Sequence, residues 1–119
     1  GDIDVYSDTI YWLVEVTLIR NKAQQLNNET SSVIRHLNSD EEFKDYLNKY
    51  LSLIAPVIHE DTKDYFDISL INSQIQGKKI HIKPYNIKDF VNTTLMGNNF
   101  LDMDNYSNKI FEEFRIKLK

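Results

Sequence analysis

Cysteine is absent from the 119 residues, which rules out a disulfide framework and any thiolate metal site and fits a reducing compartment. Glycine and proline are scarce, three and two respectively, so collagen-like and low-complexity architectures fall away. With 41% hydrophobic and 12% aromatic residues, intrinsic disorder falls away too. Long apolar runs are also missing. Ile10 to Leu18 and Leu51 to Ile58 are the longest, less than half of the roughly 20 residues a membrane-spanning helix needs, and the first contains Glu15. No basic leader followed by an apolar segment opens the chain, so a cytoplasmic setting is expected. Nor is there an excess of positive charge. Against 18 Asp and Glu stand 14 Lys and Arg, a formal charge of −4, which argues against holding nucleic acid by bulk electrostatics alone.

What is present suits one domain over residues 1–119 with a sizeable core. Ile3 to Tyr6 and Ile10 to Leu18 are rich in β-branched and aromatic residues, and Ser7-Asp8-Thr9 between them reads as a hairpin turn. Leu26, Val33 and Leu37 recur at helical spacing from Asn21 to about Asn38. Ser39 with Glu42 forms a capping-box pattern for a second helix, with Phe43, Tyr46, Leu47 and Tyr50 as its apolar face. Leu51 to Ile58 reads as a buried strand whose end Pro56 marks. His59 to Gln74 reads as a helix packed through Tyr65, Phe66, Ile68, Leu70 and Ile71 and broken at Gly77. A strand over Lys79 to Lys83 and helices over Ile87 to Met96 and Asn105 to Leu118 complete the order β-β-α-α-β-α-β-α-α, with Gly97-Asn98-Asn99 as the last loop. The class is α/β, with a central mixed sheet flanked by helices.

The hairpin makes a geometric prediction. If it closes over Asp8 and Thr9, cross-strand partners sum to 17 and Asp2 faces Glu15. Alternation then sends Leu13, Glu15 and Thr17 to one side of the sheet and Val14, Val16 and Leu18 to the other. Burying a carboxylate on so apolar a strand costs several kcal/mol unless it is paired, hydrogen-bonded or metal-bound. Two acids meeting there, with a backbone carbonyl, suit a hard divalent cation such as Mg²⁺ or Mn²⁺. The plainer reading is a solvated Glu15 and a terminal Asp2, and Asp4, on the Asp2 side by alternation, is a rival ligand.

Asp2 followed by Glu15-Val16-Thr17 resembles the metal-binding motif of the PD-(D/E)XK nuclease superfamily, and Val14-Glu15-Val16-Thr17-Leu18 is similar to the AlwI-type branch of type IIS restriction and nicking endonucleases. The similarity continues through Gln25, Glu29, Arg35-His36-Leu37, Ile54-Ala55-Pro56, Ile58-His59, Asp61-Thr62, Tyr65-Phe66, Pro84, Ile87 and Phe90, covering about residues 2 to 90. Beyond that, only the element order is similar, to a FokI-like cleavage domain. The resemblance implies a restriction-endonuclease-like fold and Mg²⁺-dependent or Mn²⁺-dependent hydrolysis of double-stranded DNA to a 5′-phosphate and a 3′-hydroxyl. It implies Asp2, Glu15 and Glu29 as metal ligands, the Val16 carbonyl as a fourth, and Thr17 at the position usually held by a catalytic lysine. It also implies sequence recognition by a separate domain or subunit, dimerisation for double-strand cleavage, and an upstream helix, so that the chain reads as N-terminally truncated.

Other residues carry weaker signals. Gln25, one turn before Glu29, could hold water or phosphate, and His36 could serve as a base, although a histidine on a helix edge is more often a packing residue. Arg20, Lys22 and Arg35 are candidates for phosphate contacts, whereas Lys78 and Lys79 read as a solvated turn. His59 and Asp61 have metal-ligand chemistry, with Asp61 better read as a helix N-cap. Tyr6, Tyr11 and Trp12 suit base stacking less well than core packing. The competing readings are a non-catalytic α/β interaction module and another nuclease of the superfamily, such as a resolvase or repair enzyme.

Overall fold

The computed structural model describes residues 2–6, 10–30 and 48–118, with 2–6 and 28–30 as backbone alone. Strands β1 (Asp2–Tyr6) and β2 (Ile10–Val16) are followed by a single helical turn, α1 (Lys22–Gln24), that runs directly into a π-helix (Gln25–Thr30). Then come β3 (Asn48–Ala55), α2 (Glu60–Ile75), β4 (Ile80–Asn86), α3 (Ile87–Leu95) and α4 (Asn99–Lys117). The strands form one mixed sheet in the order β1-β2-β3-β4, antiparallel between β1 and β2 and parallel across β2, β3 and β4. The expected α/β class is thus the observed one.

Alternation along the three parallel strands builds two different layers. One face carries Tyr11 and Leu13 of β2, Leu51 and Leu53 of β3, and Ile80 and Ile82 of β4, and onto it α2 lays Phe66 and Leu70. Each such side chain contributes about 1.5–3 kcal/mol on burial. The opposite face carries Val14, Tyr50, Ile54 and Tyr85, covered by Phe90 of α3 and by Phe100 and Met103 of α4. Helix α4 gives Met103 to this second layer and Ile110 to the first, so it passes the outer edge of β4 and leaves that edge covered.

Local chemistry explains where elements stop. β3 ends at Ala55, immediately before Pro56, as expected. At the end of α2, Gly77 takes φ +76° while its N–H donates to the Gln74 carbonyl and the Lys78 N–H to the Ser73 carbonyl, a Schellman closure that only glycine enters without strain. Pro84 sits within β4, which pairs on one side only, and there the missing N–H is tolerated.

Several expectations need correction. Strand β3 begins at Asn48, so Tyr50 is a buried strand residue paired with Trp12 and His81 and not part of a helix face. Strand β4 continues past Lys83 to Asn86. Helix α4 starts at Asn99, six residues early, with Met103, Ser107 and Ile110 as its buried stripe. On α2, Tyr65 and Ile68 are exposed, because the stripe that meets the sheet runs Thr62, Phe66, Leu70, Ser73. The first predicted helix widens to a π-helix at Gln25. Its continuation, the Ser39 capping box and the turn at Ser7-Asp8-Thr9 lie outside the described residues.

Candidate active site

The register of the hairpin brings the two candidate carboxylate positions together: Asp2 is the cross-strand partner of Glu15, with Ile3 opposite Val14 and Asp4 opposite Leu13. Hydrogen bonding sharpens this. The Thr17 N–H donates to the Ile54 carbonyl at 2.9 Å, so the odd residues of β2 direct their backbone groups to β3 and the even ones to β1. Asp2 and Glu15 are therefore a non-hydrogen-bonded pair, the closer kind, with about 4.5 Å between Cα atoms. The same alternation turns the backbone of Val16 toward the β1 side of the strand.

Glu15 is half-buried and lies on the α2 face, continuing the row Tyr11, Leu13. Across the sheet it is level with Leu53 and, beyond that, Pro84. This row is at the carboxyl end of the parallel strands, the end at which open α/β sheets bind their ligands. The N-terminus of α2 lies there too, because the helix starts five residues after β3 ends.

A buried glutamine ties this end together. Gln25, with no exposed surface, donates from Nε2 to the Val57 carbonyl at 2.7 Å and accepts from the His59 N–H at Oε1 at 2.9 Å. Both ends of its amide are thus used in fixing the β3–α2 loop to the start of the π-helix, a structural use beside the water or phosphate contact that the sequence suggested. His59 is the N-cap of α2 in place of Asp61, and its ring lies 2.6 Å from the Arg20 carbonyl through Nε2. Asp61 instead pairs with Lys22 at 3.1 Å, which occupies one of the cations expected to meet phosphate.

Two threonines complete the rim. Thr17 is 8% exposed and its Oγ1 accepts a hydrogen bond from the Ile19 N–H at 3.2 Å, so its hydroxyl serves the turn leaving β2. Thr62, on the sheet-facing stripe of α2 and fully buried, has an Oγ1 with no hydrogen-bond partner among the described residues. Sequence reasoning did not single it out as a site residue, since a threonine in the first turn of a helix is ordinary.

Glu29 lies on the π-helix, four residues beyond Gln25, and is described as backbone alone, as is Asp2. Among the described residues no group of three or more His, Asp or Glu side chains is placed to hold a metal. His36 and Arg35 lie outside the described residues. Tyr11 and Trp12 are packing residues, the first in the aliphatic layer and the second against Phe90 and Phe100. No helix among the described residues is long and apolar enough to cross a membrane.

A different polar set lies on the opposite face. Lys83 and the Tyr85 hydroxyl both meet the Asp102 carboxylate, Tyr50 donates to Asp104 at 3.0 Å, and His81 lies 2.9 Å from the Ser107 hydroxyl. Burial and the adjacent Asp104 push the Tyr50 phenol up to about 12, and burial with Asp102 raises Tyr85 further still.

Comparison with known proteins gives no match among curated proteins. The family model for the AlwI restriction endonuclease matches residues 1–93, which span the sheet, the rim and most of α3. The chain therefore belongs to the AlwI restriction endonuclease family, and its reaction is that of a restriction endonuclease acting on DNA.

Proposed function

We propose that this chain is the cleavage domain of a type IIS restriction or nicking endonuclease that hydrolyses a DNA phosphodiester with Mg²⁺ or Mn²⁺. The observation that carries the reading is the pairing of Asp2 with Glu15 at the carboxyl end of the parallel strands. Asp2, Glu15, the Val16 carbonyl and Glu29 would hold the ion, an all-oxygen set suited to a hard cation. The Thr62 hydroxyl, on the same face and at the same end and without a partner among the described residues, fits a rim that also orders water. When bound, such an ion acidifies water and neutralises charge on the phosphate.

The residues of the chain do the rest. Two carboxylates meeting at this register would favour a cation between them. Thr17 brings no charge to the position of the family lysine, and the reaction leans on the metal for charge and on the rim for orientation. The products are a 5′-phosphate and a 3′-hydroxyl. One site cuts one strand, so a double-strand break takes a second domain, and with a net charge of −4 the affinity for a particular sequence comes from a separate recognition domain or subunit. The setting is the cytoplasm, where such DNA is met.

The engagement of the Thr17 hydroxyl by Ile19 favours one rival, a non-catalytic module on a nuclease scaffold. Nicking of supercoiled DNA across a Mg²⁺ titration, by the chain fused to a DNA-binding domain, separates the two. We expect metal-dependent nicking that Glu15→Ala abolishes, and Mn²⁺ affinity by calorimetry that Asp2→Ala and Glu15→Ala remove and Asp4→Ala keeps. Nicking unchanged in Glu15→Ala, or equal Mn²⁺ binding in all three variants, discards the assignment.

A further inference from the structure

We infer that the groove between the β3–α2 loop, the end of β4 and the first turn of α3 binds backbone phosphates of DNA through Lys63, Lys83 and Lys88. The inference rests on the nuclease reading for the identity of the polyanion. The groove has a volume of about 490 Å³, and three separate elements each give it one lysine, with Pro56, Pro84 and Tyr106 among its walls.

Two of the lysines are held in place. Lys83, with 23% of its side chain exposed, lies 2.7 Å from Asp102 Oδ2 and 4.6 Å and 5.3 Å from the ring centroids of Tyr85 and Tyr106. Lys63 lies 2.7 Å from Asp67 Oδ2. An ammonium has three N–H donors, so each keeps donors for a phosphate after meeting its aspartate. Lys88 is exposed and has no ion-pair partner among the described residues. The one acid in the groove wall, Asp89, is occupied locally: its carboxylate takes the Asn86 amide at 3.0 Å at the start of α3.

The position suits the reaction. Pro84 is level with Glu15 two strands away, about 10 Å at the usual inter-strand spacing. That separation is on the scale of neighbouring phosphates of one DNA strand. The floor of the groove, Pro56 to Ile58, contains the Val57 carbonyl that Gln25 holds, so groove and rim share one fixed loop. In a chain of net charge −4, three lysines meet beside the carboxyl end, two of them already paired with Asp67 and Asp102 and the third, Lys88, without an ion pair among the described residues.

The test is fluorescence anisotropy of a labelled duplex with the full chain, metal-free so that nothing is cut, from low to moderate salt. Lys63→Gln with Lys88→Gln is expected to weaken binding about fivefold per lysine and to lower the slope of log affinity against log salt by about one per lysine, whatever the DNA sequence. Lys78→Gln with Lys79→Gln removes the same charge at the opposite end of β4 and should leave the slope unchanged. Lys88→Gln alone, at an exposed position, should keep its share of the effect even if Lys63 matters to folding. Equal losses in the two doubles, no loss in the groove double, or no binding by the parent chain overturns the inference. Nicking assays keep the readings apart: groove variants that lose affinity while Glu15→Ala has no effect on nicking would retain the groove and sink the Asp2 and Glu15 site, and the converse would do the opposite.

Discussion

The two faces of the sheet bury polar groups in different ways. On the α4 face they come in mutually satisfied sets: Trp12 Nε1 donates to Ser52, Ser52 lies 3.4 Å from the Met103 sulfur, Tyr50 meets Asp104, and Lys83 and Tyr85 share Asp102. On the α2 face the middle of the sheet is aliphatic and aromatic, and Glu15, Thr17, Thr62 and the clamp at Gln25 gather at the carboxyl rim. A buried polar residue is therefore a poor marker of function by itself. Its place at the ligand-binding end of the strands, on an otherwise apolar face, is what distinguishes Glu15 from Ser52 or Tyr50.

The largest effect expected of this difference is on stability. Phe66→Ala, in the centre of the apolar layer and with no exposed surface, should cost about 3–5 kcal/mol in urea unfolding. Ser52→Ala, equally buried on the other face, removes one methyl-sized group but strips the Trp12 indole N–H of its acceptor, and should cost about 1–3 kcal/mol. Adding Trp12→Phe should recover about 1 kcal/mol of coupling in the double-mutant cycle. A cost for Ser52→Ala as large as that for Phe66→Ala, or strict additivity in the cycle, would erase the distinction between a face held by packing and a face held by matched polar groups.

The same contrast governs what could be read in advance. The aliphatic layer was legible because alternation needs no knowledge of partners: Leu13, Leu51, Leu53, Ile80 and Ile82 announce one buried side. The Asp2 to Glu15 pairing was legible because two strands around a short turn leave one register. The mixed face hid its own strand. Asn48-Lys49-Tyr50-Leu51-Ser52 looks like a helix end, since Ser52 is buried through a bond to a tryptophan 40 residues away. Ser107, fully buried beside His81, likewise interrupted the apolar stripe of α4 and moved its expected start from Asn99 to Asn105. The π-helix has no mark in Gln25-Leu26-Asn27-Asn28, because the bonds that use Gln25 come from a loop more than 30 residues on. Lys63, Lys83 and Lys88 lie on three elements, and only the fold makes them neighbours.

The smallest expected effect is a pH dependence, and it tests whether the mixed face is as dry as its geometry implies. His81 stacks on Tyr50 with ring centroids 4.8 Å apart, its Nδ1 is 2.9 Å from Ser107 Oγ and 3.5 Å from Asp104 Oδ1, and burial lowers its pKa against the opposing pull of Asp104. A histidine whose folded pKa lies below its unfolded value favours the neutral ring in the native state. Above the ordinary 6.5 both states are neutral and nothing is lost. As pH falls through 6.5 the unfolded chain takes up the proton first, and stability declines until the folded ring is protonated as well. Urea midpoints at pH 8 and pH 5 should therefore separate more widely in the parent chain than in His81→Gln, which has no proton to bind. Parallel pH dependence in the two would mean that water reaches the ring. A parent chain that gains on the variant in acid would mean that Asp104 outweighs burial, and that the polar groups of this face are held by charge and not by exclusion from water.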